Sequence, residues 1–165
     1  MTGAGAFTVA VTAPCPAWLR ECGEAETVAA EAARLALRRR AAPEAAVVDV
    51  TLTDDAAQRS LNRIWRGKDA STNVLAFPAA DPAALLPPGA PLLLGDVVLA
   101  FETVRREAAE QEKPLADHLR HLVVHGVLHL LGEDHETDAD ASAMEAREIA
   151  ILAELGVPNP YRDTM

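Results

Sequence analysis

The segment HGVLHLLGEDH, residues 125 to 135, constrains the fold more than any other stretch, because it sets three imidazoles at intervals of four and six in an apolar run. His125 and His129 stand four apart, so on a helix both rings leave one face about one turn from each other, as two ligands of one metal ion must. Gly132 lets that helix stop and turn, since glycine readily adopts the left-handed conformation that commonly closes a helix. His135 then swings back as a third ligand. Leu119, Leu122, Val123, Val127, Leu128, Leu130 and Leu131 make the helix apolar on most sides. The pattern predicts a central buried helix over 115 to about 131 with the metal site on it.

A catalytic zinc usually keeps three side-chain ligands and one open position, and three neutral imidazoles leave the full 2+ charge on the ion. Bound water then becomes acidic, with a pKa that can fall to ~7. A structural zinc needs a fourth ligand to close it, and no cysteine is nearby. A lone histidine is more often a packed or surface imidazole than a ligand. Three in register, with glycine between the second and third, favour one Zn2+ ion per chain held by His125, His129 and His135. His118 and His121 extend the same face upstream. His121 suits orienting a ligand or touching substrate as well as it suits packing, and neither His118 nor His121 is placed among the ligands.

With 165 residues the chain is expected to form one domain, 1–165, burying about 70% of the surface of its unfolded form. Half the residues are hydrophobic but only 4% are aromatic, so the core must come mainly from Ala, Val and Leu. A net charge of -10 excludes a protein that coats nucleic acid through bulk electrostatics and leaves only local contact. Cys15 and Cys22 are neither a CxxC pair nor a disulfide framework, which suits structural filler in a reducing cytosol. The opening MTGAGAFTVAVTAPCPAW lacks the basic leader of a signal peptide, and no apolar run reaches the ~18 residues of a membrane span, so a cytoplasmic protein without membrane contact is expected.

Alternation predicts strands at 6–13, 46–53, 72–77 and 92–101. Gly95 in the last marks a bulge or a close backbone approach. An Ala-, Leu- and Glu-rich helix is predicted from Ala17 to about Arg40, closed by Arg38, Arg39 and Arg40 as either a solvated helix end or a phosphate-contacting patch. Asp54 can cap a second helix through DDAAQRSLNRIW, and a third covers 102–112. Pro114 can open the histidine helix. Thr137 or Asp138 can cap a last helix that runs to about Leu155 before Gly156 and Pro158. Five of the eleven prolines fall between Pro78 and Pro91, which predicts a long exposed Pro/Ala-rich connector over 78–91. The order implies an α+β fold in which a small mixed four-stranded sheet packs with about five helices.

The spacing H-x-x-x-H-x-x-G-x-x-H also occurs in metzincin metalloproteases, where a Glu after the first histidine is the general base. Gly126 occupies that place here and cannot move a proton, so a zinc metalloprotease becomes the second reading. HGVLHLLGEDH is more fully similar to the signature H-G-x-L-H-L-x-G-[aromatic]-D-H of the YbeY family of bacterial endoribonucleases. LNRIWRGKDASTNVLAFP at 61–78 and GDVVLA at 95–100 resemble two further blocks of that family, in family order. Glu133 stands where an aromatic is usual, Ser71 where a proline is, and Ala76 where a serine is. The first adds an acidic group beside the site, and the others alter loop stiffness and packing.

The resemblance implies a zincin-like α+β fold and a metal-dependent, single-strand-specific endoribonuclease. It implies a role in rRNA processing, at the 3′ end of small-subunit 16S rRNA, and in ribosome quality control. Implied partners are single-stranded rRNA, the ribosome and small-subunit assembly factors. A third reading is a non-enzymatic ribosome assembly factor with a structural metal. Arg66 is the expected phosphate contact, because its planar guanidinium stays charged and can clamp two oxygens. The resemblance selects the same position. Its competing use is a salt bridge to Asp69 or another of the 25 acidic residues. Arg63 and Lys68 would complete a small basic cleft, and His125 and Arg66 would carry the chemistry. Glu133 and Asp134 are adjacent candidates for the base, and attack by water or by the RNA 2′-OH both stay open.

Overall fold

In the second strand the apolar residues Ala46, Val48, Val50 and Leu52 alternate with the half-exposed Val47, Asp49 and Thr51, so one face is covered and the other is open. That asymmetry organises the fold. The computed structural model describes residues 7–79, 90–134 and 136–161. Its elements are β1 (Thr8–Thr12), α1 (Ala17–Glu21), α2 (Ala25–Arg39), β2 (Ala46–Thr53), α3 (Asp55–Arg66), β3 (Val74–Pro78), β4 (Leu92–Ala100), α4 (Phe101–Glu110), α5 (Leu115–Leu130) and α6 (Asp138–Glu154). The sheet order is β1-β2-β4-β3, with β1, β2 and β4 parallel and β3 antiparallel to β4. The result is the expected α+β arrangement with a mixed four-stranded sheet.

Among the described residues there are six helices rather than about five, because the helix expected over 17–40 is broken between Glu21 and Ala25. Gly23, a poor helix former, lies in the break. The break lets α1 tuck Trp18 under the end of β2, where the indole N–H donates to the Thr53 carbonyl at 2.9 Å and its ring meets Phe101 edge-on at 5.2 Å. Beyond the break, α2 buries Ala25, Val28, Ala29, Ala32, Ala33, Leu35, Ala36 and Leu37. Such small side chains let α2 lie close against α5. The core is built mainly of Val, Ala and Leu, as composition required.

Local signals place most boundaries. Asp54 accepts from Ala57 N–H at 2.8 Å to start α3, and Gly67 at φ 70° ends it. Thr137 accepts from Asp140 N–H at 3.0 Å to start α6, and Gly156 at φ 80° follows its end. Gly95 serves both purposes anticipated for it. The β2–β4 register slips beside it, and a Cβ there would overlap the Phe77 carbonyl and come 2.8 Å from a Leu130 methyl. The connector expected over 78–91 is shorter at its start, since Pro78 pairs with Gly95 in the sheet and Ala79 N–H donates to Leu94 O at 3.0 Å. Residues 80–89 lie outside the described residues. The strand expected over 92–101 stops at Ala100, where α4 begins with Phe101.

α5 crosses the covered face of the sheet, packed by α2, α4 and α6. Its Gly126 meets β4: a Cβ there would lie 2.7 Å from Val97 Cγ1. Among the described residues no helix is long and apolar enough to cross a membrane.

Candidate active site

The four described histidines stand on α5, and its pitch sets them in a row. His118 is buried, and its Nε2 lies 2.8 Å from Glu107 on α4. Burial lowers its pKa and outweighs the opposing pull of Glu107. It is thus a packed histidine that ties α5 to α4. His121 reaches Glu148 of α6 through Nε2 at 3.0 Å. His125 meets the other oxygen of the same carboxylate, Nδ1 to Oε2, at 2.5 Å. Tyr161 donates its hydroxyl to Glu148 Oε1 as well.

Glu148 has no exposed surface. Burial pushes its pKa up, but the hydrogen bonds from His121, His125 and Tyr161 hold it low, at about 2. The carboxylate is therefore ionised at neutral pH and accepts from His125 Nδ1, which leaves His125 Nε2 as a lone-pair donor. That nitrogen faces His129 Nε2 at 3.1 Å. Two imidazole nitrogens sharing a tetrahedral zinc at ~2.0–2.1 Å stand about 3.3 Å apart, so this pair fits two corners of such an ion. His135 lies outside the described residues, and among those described the pair is joined by no third His, Cys, Asp or Glu within reach of one ion.

Sequence reasoning did not single out Glu148 or Tyr161. For Glu148 a signal existed: it falls on the stripe Met144, Glu148, Ile151 and Leu152 that α6 turns inward, and a charge there calls for a buried partner. Tyr161 follows α6 in an irregular segment, and no periodicity points to it.

Arg66 is the last residue of α3. α3 is held against the sheet by Gln58, whose amide donates to Val98 O at 3.0 Å and accepts from Thr72 N–H at 2.8 Å. Asn62 donates to Ala70 O at 2.8 Å and restrains the chain after the helix. The Arg66 guanidinium donates to the Ala76 carbonyl on the outer strand β3 and lies 4.8 Å from the Phe77 ring centre. It lines a cleft of about 330 Å³ together with His125, His129, Ala76 and Pro78. The alternative salt bridge does not form, since Asp69 is held by Arg59 through two bonds at 2.8 and 3.0 Å. Arg63 and Lys68 are exposed near the end of α3 and do not line the cleft.

The acidic neighbours of the histidine segment are engaged elsewhere. Glu133 accepts from Arg40 at 2.9 Å and from Arg147 at 2.8 Å, which answers the charge placed where an aromatic is usual. Asp134 is exposed, and its Oδ1 accepts from Glu136 N–H at 3.3 Å. Arg39 pairs with Glu154. Two members of the basic triplet thus tie the end of α2 to α6 and to the turn after α5, as a solvated helix end does. Gly126, at the position of the metzincin base, is a packing position that faces Val97.

Residues 20–156 match the family described as Endoribonuclease YbeY. The chain belongs to the YbeY family. It is 53% identical over 155 residues to the endoribonuclease YbeY of Paramagnetospirillum magneticum, covering 93% of this chain and 94% of that one. To a YbeY of Rhodopseudomonas palustris it is 51% identical over 159 residues, 96% and 91% of the two chains. The solution structure of TM1509 from Thermotoga maritima superposes with a TM-score of 0.53 over 95% of this chain and 99% of that one, at 19% identity, a likeness of fold. Membership of YbeY does not favour the metalloprotease or the non-enzymatic assembly factor, and against the metalloprotease the site geometry agrees, since the place of the proteolytic base has no room for a side chain.

Proposed function

We propose that this chain is a metal-dependent endoribonuclease that cleaves phosphodiester bonds in single-stranded RNA at the cleft between α5 and the end of α3. The observation that carries the reading is the convergence of His125 and His129 Nε2 at 3.1 Å in the same cleft as the Arg66 guanidinium. His125, His129 and His135 would hold one Zn2+ ion, which supplies Lewis acidity toward a phosphoryl oxygen and acidifies water. Glu148 fixes the ring of His125 and keeps its Nδ1 protonated, so that Nε2 is presented as a donor. Arg66 binds a phosphate oxygen and stabilises the charge that builds on phosphorus oxygens as the bond breaks. To do so it exchanges the Ala76 carbonyl for phosphate, a short movement at an exposed side chain. Arg63 and Lys68 steer neighbouring phosphates, a local cationic contribution that a chain of net charge -10 requires.

The substrate is rRNA, with processing of the small-subunit 16S rRNA 3′ end and ribosome quality control as the setting, and with the ribosome and its small-subunit assembly factors as cytoplasmic partners. The sequence resemblance supports that assignment. The test is incubation of zinc-loaded protein with precursor small-subunit rRNA, followed by sequencing of the new ends. Wild type should cut at the mature 3′ end. Arg66→Ala should lose cleavage by about 100-fold or more with zinc content unchanged, and His125→Ala should lose zinc and cleavage together. Normal cleavage by Arg66→Ala would remove Arg66 from the chemistry.

A further inference from the structure

On the open face of the sheet, beside α3, a second hollow of about 610 Å³ adjoins the cleft. Arg66 and Pro78 line both. We propose that this hollow is a nucleobase subsite, in which a base next to the scissile phosphate stacks on Trp65 and turns its amino edge to Asp96. The inference rests on reading the adjoining cleft as the RNA-cleaving site.

Trp65 is 71% exposed although it is the residue next to Arg66 on a well-anchored helix, and the exposed Leu93 stands across the hollow. An indole left open beside a phosphate-binding arginine has the chemistry that single-stranded RNA uses, a flat ring for a base next to a cation for its phosphate. Phe77 forms part of the same wall and already carries the Arg66 guanidinium over its ring, so the cation sits at the junction of the two hollows. Asp96 supplies the polar edge. It is half-buried on β4, and no described residue donates a hydrogen bond to its carboxylate. Its register neighbour on β2 is another acid, Asp49. Burial, and then the Asp49 charge, raise the Asp96 pKa, so a donor brought to this carboxylate relieves an unfavourable position. Cytosine offers an amino group at the place where uracil offers a carbonyl oxygen, and a carboxylate accepts from the first and repels the second.

Tryptophan fluorescence isolates the subsite in the intact zinc-loaded protein, because Trp18 is fully buried and CMP and UMP contain no phosphodiester bond to cut. CMP should quench more strongly than UMP, Trp65→Phe should abolish the quench, and Asp96→Leu should make the two nucleotides equivalent. Absence of quenching, or equal response to CMP and UMP in wild type, overturns the assignment. In cleavage of short single-stranded RNA, Trp65→Ala should raise KM roughly tenfold with little change in kcat, and Trp65→Phe should restore it. An unchanged KM with Trp65→Ala also overturns it. Should wild type cleave no RNA while CMP still quenches Trp65, the catalytic reading fails and the nucleobase subsite stands.

Discussion

Glu148 lies fully buried with one oxygen on His125 and the other shared by His121 and Tyr161. A carboxylate so placed sets which nitrogen of His125 turns toward His129, and partners of this kind typically change metal affinity by ~10–100-fold. Glu148→Gln keeps the volume but loses the charge that keeps His125 Nδ1 protonated. Zinc affinity measured by competition with a chelating dye is expected to fall within that range while the far-ultraviolet spectrum is retained. An unaltered affinity would reduce Glu148 to a packing role. Arg66 differs in kind. Its carbonyl partner and its aromatic neighbour hold it at the cleft without neutralising it, so its loss should appear in cleavage and not in zinc content.

Helix α5 is the element on which fold and site meet. Gly126 permits its approach to β4, with the Cβ of any other residue 2.7 Å from Val97 Cγ1 and 3.2 Å from Cγ2. Alanine would gain up to ~1 kcal/mol of helix propensity, but overpacking of a rigid β-branched neighbour costs ~1–3 kcal/mol. Denaturant titration of Gly126→Ala should therefore show a net loss of stability, partly recovered in Gly126→Ala/Val97→Ala, where the clash is removed. The link from α5 to α4 is titratable. Burial lowers the His118 pKa below its usual 6.5, so the unfolded chain binds the proton more readily. The stability this confers is complete above 6.5 and is lost as pH falls from there through the folded-state value. The urea midpoint of wild type should fall in that window, and His118→Asn should flatten the dependence. An identical slope in both proteins would dismiss His118 as its origin.

At the scale of the molecule, the main core runs through β1, β2, β4, α2, α5 and α6 and does not depend on the cleft, which lies at the outer strand β3. Removal of metal by a chelator should abolish RNA cleavage and leave the fold cooperative, checked by circular dichroism and thermal melting. Collapse of the secondary structure on chelation would favour a structural metal. Periodicity is local physics, and for that reason β2, α5 and α6 were legible in the sequence nearly to the residue, as were the caps at Asp54 and Thr137 and the left-handed Gly132 at φ 95°. The break between α1 and α2 was not, because Gly23 only weakens a helix locally, and α1 is anchored by Trp18 on the Thr53 carbonyl, 35 positions away in sequence.

The chain by itself determined the spacing of the histidines, the cation of Arg66 and the absence of a base at Gly126, since each follows from residue identity and helical pitch. Only the tertiary structure decided that Glu148 and Tyr161 stand behind His125 and that Glu133 is spent on Arg40 and Arg147. It also decided that Arg66 shares a cleft with His125 and His129. Those relations join α6, α2 and α3 to α5 across long separations in sequence, and they depend on how helices seat on the sheet, which no local pattern encodes.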